Sequence, residues 1–429
     1  MKKSKLLSIT GLLAIGLMFG VNLAQAQSIG GQRAGTLDPT FGDGGTLTTS
    51  LGVSVNPVAA IEQSNGNIVV VAGINNDQTG IFAFGLLVYT SNGTLIGHTQ
   101  VAFGSNPNNI PIAAVAQPNG DIIVAGTSAP AGIEAEEFAL ARFTPNGQLD
   151  PTFGEGGLVT TTFNNPCCET GFMMFGSLLL QPNGQIVVGG SAPPGTKHGP
   201  GMTVLARYNS NGSLDTTFGT GGIVEEIPAP LGPAALALFS NGSYLAAGGP
   251  GLVAEFSSTG VLQSTVTPGT VVAASQPTAA SLIAFQPNGD YVLAQTVGDG
   301  FQKSAVEVFR FSQTGVADLS FSSFKFNFGG VTGGPGAIGL QSNGEIVVAG
   351  STEVTRFSQS LFGVARLDSN GEFDTTFGSG GTLNTSFAGP AGVDALLIQT
   401  DGKIVAVGAE LDPQNRNITD LAMARYFGN

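Results

Sequence analysis

One hairpin signature recurs seven times along this 429-residue chain, and it restricts the fold more than any other feature. Apolar residues lead into Asn-Gly or Asp-Gly, and the β-branched run that follows ends in Gly. The clearest copies are Gln117-Pro118-Asn119-Gly120-Asp121-Ile122-Ile123-Val124-Ala125-Gly126 and Gln181-Pro182-Asn183-Gly184-Gln185-Ile186-Val187-Val188-Gly189-Gly190. Asn65-Gly66, Asn241-Gly242, Asn288-Gly289, Asn343-Gly344 and Asp401-Gly402 complete the set. Asn-Gly suits a type I′ turn, whose two central residues need positive φ. Successive turns lie 54, 64, 58, 47, 55 and 58 residues apart, as for a constant supersecondary unit with loops of differing length.

Each unit carries a second strand pair. Phe138 to Phe143 runs into Pro145-Asn146-Gly147, then Leu149-Asp150-Pro151-Thr152-Phe153-Gly154 and a strand from Leu158 to Thr162. Val204 to Tyr208 and Val364 to Leu367 open parallel versions. Four strands, A to D, repeated seven times describe an all-β, seven-bladed β-propeller of four-stranded blades. A β-helix or a row of sandwiches is the alternative, and the termini discriminate. The chain ends on Leu421 to Tyr426, a strand C with no strand D after it. It begins, past residue 26, with Leu37-Asp38-Pro39-Thr40-Phe41-Gly42 and a strand D with no strand C before it. The N-terminal strand therefore completes the seventh blade beside the C-terminal strands, which closes the ring and removes an exposed edge.

The LDPTFGxGG and QPNGxIVVAG segments resemble the delta-60 (DUF5122) propeller repeats of secreted bacterial proteins. The likeness covers nearly all of residues 30 to 429. Blades 1 and 4 depart most, with Thr94-Leu95-Ile96 and Val261-Leu262-Gln263 in place of LDPTFG. The resemblance implies a propeller and carries no catalytic residues to transfer.

Lys2, Lys3 and Lys5 precede an apolar run from Leu6 to Val21, which ends near Ala24-Gln25-Ala26. A basic start, a short apolar stretch and an A-x-A site form a secretory signal peptide over 1–26, leaving 27–429 as the propeller. The run is short for a membrane span, and no stop-transfer segment follows. The reading expects a monomer, secreted or periplasmic, with attachment at the cell surface left open. Cleavage removes three Lys, so the net charge moves from −14 to −17, that is 12 minus 29. An acidic chain lacks the basic face that nucleic acid requires.

A coupled pair sits inside the repeat. Arg142 precedes Asp150 by eight residues, and the same interval separates Arg207 from Asp215, Arg310 from Asp318 and Arg366 from Asp374. Through the ring closure, Arg425 pairs with Asp38. Blade 1 has Val88 and Ile96 at these positions, and blade 4 has Glu255 and Gln263. Both partners are present or both are gone, which marks contact across the C–D hairpin and a structural role. Phe41, Phe153, Phe218, Phe321 and Phe377 follow the Asp by three residues and are expected between blades.

Catalytic constellations are scarce. His98 and His198 are the only histidines, and no metal-ligand cluster, nucleophile elbow or cofactor motif accompanies them. Strand A lines a propeller's channel, and here only Glu62 and Asp394 charge that wall. A hydrolase or lyase needs a paired acid and base. No metal or cofactor is expected, and function is assigned to the face bearing the B–C and D–A loops. The candidate contact residues there are Cys167, Cys168, Phe172, Met173, Met174 and Phe175. The adjacent cysteines form a vicinal disulfide, stay reduced or pair with another chain. The partner is an unidentified carbohydrate or cell-surface protein. The alternative is a secreted carbohydrate hydrolase or lyase working at the channel mouth.

Overall fold

The computed structural model describes residues 33–76, 79–105, 108–129, 137–162, 174–192, 202–225, 233–239, 241–248, 252–266, 282–298, 304–355 and 358–429. The segment 1–26, read above as a signal peptide, lies outside them. The described chain from Arg33 to Asn429 forms one compact unit.

Seven four-stranded antiparallel sheets make up this unit. The first strand, β1 (Thr46–Thr49), belongs to the last blade. Blade 1 is β2 (Ser54–Glu62), β3 (Ile68–Asn76), β4 (Ile81–Tyr89) and β5 (Leu95–Val101). Blade 2 is β6 (Asn108–Ala116), β7 (Ile122–Ala129), β8 (Glu137–Phe143) and β9 (Leu158–Thr161). Blade 3 holds β10 (Met174–Leu180), β11 (Ile186–Ala192), β12 (Met202–Tyr208) and β13 (Ile223–Val224). Blade 4 holds β14 (Pro233–Leu238), β15 (Tyr244–Gly248), β16 (Leu252–Phe256) and β17 (Leu262–Val266). Blade 5 comprises β18 (Leu282–Phe285), β19 (Tyr291–Val297), β20 (Ala305–Phe311) and β21 (Lys325–Phe326). Blade 6 comprises β22 (Thr332–Leu340), β23 (Ile346–Glu353), β24 (Ser360–Leu367) and β25 (Thr382–Thr385). Blade 7 is β26 (Ala391–Ile398), β27 (Ile404–Leu411) and β28 (Thr419–Tyr426), completed by β1.

The protein is a seven-bladed β-propeller, closed where Thr46 to Thr49 pair with Ala424 to Leu421. The first strands of the blades neighbour one another in a complete cycle, β2 adjoining both β6 and β26. Ahead of β1, the Gly35 N–H donates to Phe427 O at 2.7 Å, and the Phe427 N–H returns a bond to Thr36 O at 2.9 Å. The two ends of the chain thus share the work that one C–D turn does in other blades.

The hydrophobic core lies between blades rather than within one. Val187, Leu205, Phe218 and Val224 of blade 3 cluster with Tyr244, Ala246, Ala254 and Phe256 of blade 4. Middle strands such as β7 are buried on both faces, which explains their unbroken Val, Ile and Ala runs.

The A–B turns differ in type from the sequence reading. Gly66, Gly120, Gly184 and Gly289 have positive φ, whereas Phe328 is the one described non-glycine residue that does. The Asn before each Gly is therefore not left-handed. Gly120 N–H donates to Gln117 O at 2.9 Å, and Gln117 N–H to Asp121 O at 2.7 Å. That is a type I turn followed by a left-handed Gly, the three-residue hairpin loop. The same bonds close the loops at Gln63, Gln341 and Gln399, where Ser64, Ser342 and Thr400 stand in place of proline. What the loops share is the N–H of the residue after Gly donating to the Asn or Asp side chain, as Asp121 does to Asn119 Oδ1 at 3.1 Å.

A second device shapes the channel. The pairing of first and second strands slips by one residue after Pro57, Pro111, Phe175, Pro233, Pro335 and Val393. Proline is tolerated there because an inner strand has one unpaired edge and a bulge needs no ladder donor. The glycine that closes the repeat faces this bulge. A Cβ on Gly126 would lie 2.0 Å from Ile110 O, on Gly350 2.0 Å from Gly334 O, and on Gly408 1.8 Å from Gly392 O.

Candidate functional site

The structure brings all five arginine–aspartate pairs together. Arg142 Nε donates to Asp150 Oδ2 at 2.7 Å, Arg207 Nε to Asp215 at 2.7 Å and Arg310 Nε to Asp318 at 2.8 Å. Arg366 Nε bonds Asp374 at 2.8 Å, and Arg425 Nε bonds Asp38 at 2.9 Å across the closure. Each guanidinium also lies over the phenylalanine three residues past its aspartate, 4.6 to 5.0 Å from the ring centre. The third contact crosses to the next blade. Arg142 donates to Ser210 O, Arg207 to Ser258 O, Arg310 to Ser369 O, Arg366 to Gly428 O and Arg425 to Ser91 O. A backbone bond runs beside each one, from Gly154 N–H to Asn211 O in the first case.

These clamps hold the aspartates ionised. The Thr152 backbone N–H and hydroxyl, with Arg142 beside them, keep Asp150 below the usual carboxylate range. The Ser320 hydroxyl, Arg310 and the Ser320 N–H bring Asp318 down to about 2. Clamps occur at five blade junctions. Blades 1 and 4 carry none toward blades 2 and 5. Between blades 1 and 2, Gln63 Nε2 takes over the carbonyl, donating to Pro145 O at 2.7 Å. Val88 and Ile96 there border a cavity of about 340 Å³.

The channel wall is nearly free of charge. Glu62 is engaged by the neighbouring blade: it accepts from Gln399 Nε2 at 3.0 Å and from the Thr400 N–H at 2.8 Å, which ties blade 7 to blade 1. Asp394 is the bulged residue of β26 and is solvent-accessible. Enclosure by the surrounding protein pushes its carboxyl up to about 6, partly offset by the Ala409 N–H that it accepts from. Among the described residues, no group of three or more His, Cys, Asp or Glu could hold a metal ion.

The corner glutamines link blades. Gln181 Nε2 donates to Tyr244 Oη at 2.6 Å, and Gln341 Nε2 to Gly402 O at 3.3 Å. Around three of these corners lies a cavity of about 730 Å³, at the A–B end of the inner strands of blades 5 to 7. Sequence reading missed it, because its walls come from three blades whose turns are far apart along the chain.

Cys167, Cys168, Phe172 and Met173 lie outside the described residues. Met174 and Phe175 open β10, their backbones paired with Ser191 and Gly190; their side chains also lie outside what the structure describes.

A family model described as a domain of unknown function (DUF5122) beta-propeller matches residues 117–153, 181–218 and 341–377. Each match ends on a clamp phenylalanine, in blades 2, 3 and 6, so the resemblance to these repeats holds at three places. No curated protein matches the chain. Among solved structures, a protein of unknown function from Dyadobacter fermentans is 10% identical, with a TM-score of 0.48 over 89% of this chain and 97% of that one. A Penicillium chrysogenum alpha-L-arabinanase complexed with arabinobiose is 13% identical, with a TM-score of 0.47 over 89% and 98%. The Pseudomonas aeruginosa periplasmic gluconolactonase is 13% identical, with a TM-score of 0.48 over 76% and 84%. No function follows from likeness at this level.

Proposed function

We propose that this protein is an exported propeller that binds a carbohydrate or a cell-surface protein and does not transform it. The carrying observation is the inner wall. Of its described strand residues, Asp394 and Glu62 alone are acidic, and Glu62 is consumed in a blade-to-blade bond. Acid–base chemistry on a glycoside needs two carboxyl groups flanking one bond. A single carboxyl in an otherwise uncharged channel supports recognition instead. The B–C and D–A loops are the proposed contact face, with Cys167, Cys168, Phe172, Met173, Met174 and Phe175 as the proposed contact residues, and residues 1–26 as the proposed export signal.

The test uses protein purified from the exported fraction, its N-terminus sequenced, against glycans and cell-surface fractions with hydrolysis products followed in parallel. Saturable binding without products supports the reading. Turnover that follows an ionisation near pH 6 and is abolished by Asp394→Asn would replace it with the hydrolase or lyase reading. Once a ligand is in hand, Cys167→Ser with Cys168→Ser, and separately Phe172→Ala with Phe175→Ala, weaken binding if the loop face is the contact.

A further inference from the structure

We infer that the cavity at the A–B end of blades 5 to 7 is a binding site for a neutral saccharide. This deepens the binding reading and rests on it, but uses the face opposite the long loops. The cavity is built from one triplet repeated in three neighbouring blades: Phe285-Gln286-Pro287, Leu340-Gln341-Ser342 and Ile398-Gln399-Thr400. The first member of each triplet ends an inner strand and supplies an apolar floor. The second is a corner glutamine, and the third stands at the rim.

Its volume of about 730 Å³ falls within the roughly 300–1,000 Å³ of small-molecule sites. The lining carries amides and hydroxyls and no charged side chain, so an anion finds no counter-charge there. Gln341 and Gln399 are buried and spend their amide nitrogens on Gly402 O and Glu62, so the polar groups that the cavity presents are the half-buried Gln286 amide and the exposed hydroxyls of Ser342 and Thr400. Hydroxyl donors and acceptors on one side and C–H surface on the other are the chemistry of a sugar ring. The net negative charge, −14 for the full chain and −17 without residues 1–26, further disfavours acidic sugars.

Neutral and acidic oligosaccharides are titrated calorimetrically against the full exported protein. Ser342→Trp fills the cavity from its rim and Gln286→Leu removes one corner amide, while melting temperature reports the fold. Binding of a neutral saccharide, weakened about tenfold by Gln286→Leu and more by Ser342→Trp at unchanged melting temperature, establishes the site. Binding that neither variant alters, a preference for acidic sugars, or capture of a peptide in the cavity overturns it. If no saccharide binds while a cell-surface fraction is still retained, this site falls and the binding reading stands. If nothing is retained at all, both fall.

Discussion

At the scale of single residues, the clamp arginine does three jobs with one planar group. It neutralises an aspartate, stacks on a ring and reaches the neighbouring blade, which a lysine's point charge cannot do together. Arg207 and Asp215 have side chains only 8% and 7% exposed. Removing either alone strands a buried charge, at a cost of ~3–5 kcal/mol. A double-mutant cycle on Arg207→Ala and Asp215→Ala, read by denaturant unfolding, is expected to show coupling of ~0.5–3 kcal/mol; additive losses would mean the two do not act as a unit. Asp394 works in the opposite direction. Its carboxyl titrates at about 6 in the folded protein and near 4 in an unfolded chain, so the folded state holds the proton more tightly between those values. Stability contributed by this group falls as pH rises from about 4 to about 6. Asp394→Asn, which can still accept from the Ala409 N–H, should therefore stabilise the protein at pH 7 by ~1 kcal/mol or less, given screening by channel water, and leave it unchanged at pH 4.

At the scale of elements, hairpins and blade order were legible because they rest on local signals: alternating turn residues and runs of β-branched side chains. The turn type was legible only where Pro118, Pro182 and Pro287 exclude positive φ at the first central position; at Ser64, Ser342 and Thr400 the same turn carries no such mark. The bulges were not legible, since nothing in Pro57 or Pro335 alone states that the next residue slips out of register. The bulge does explain why the repeat ends in glycine. Gly126→Ala and Gly350→Ala drive a methyl into a carbonyl oxygen and are expected to cost ~1–3 kcal/mol in chemical denaturation. Gly97, exposed in β5, is the control, because a methyl group added there would meet nothing within 4 Å. Gly97→Ala should change stability by less than ~0.5 kcal/mol. The saccharide cavity escaped the sequence for a different reason. Its residues are ordinary turn residues in each repeat, and only the side-by-side packing of three consecutive blades brings Gln286, Gln341 and Gln399 around one space.

At the scale of the whole molecule, β1 is what makes the ring a ring. Deleting residues 27–50 removes it together with Asp38 and Phe41, leaving β28 as an open edge and Arg425 without its carboxylate. Light scattering and thermal melting should report aggregation or loss of a single cooperative transition; a monomer with unchanged melting would disprove the closure role. The five clamps are not spread evenly around the circle. They join blades 2, 3 and 4 to one another, and blades 5, 6, 7 and 1 to one another, with no arginine clamp across the two remaining seams among the described residues. A propeller locked in this way is two clamped arcs meeting at two seams that rest on apolar packing and neutral hydrogen bonds, as where Val69, Val71 and Phe84 of blade 1 meet Ile122 and Val124 of blade 2. Native-state hydrogen exchange should then resolve two opening units, one of three blades and one of four, and a pulling force applied across the ring should part it at the seams before any blade unravels.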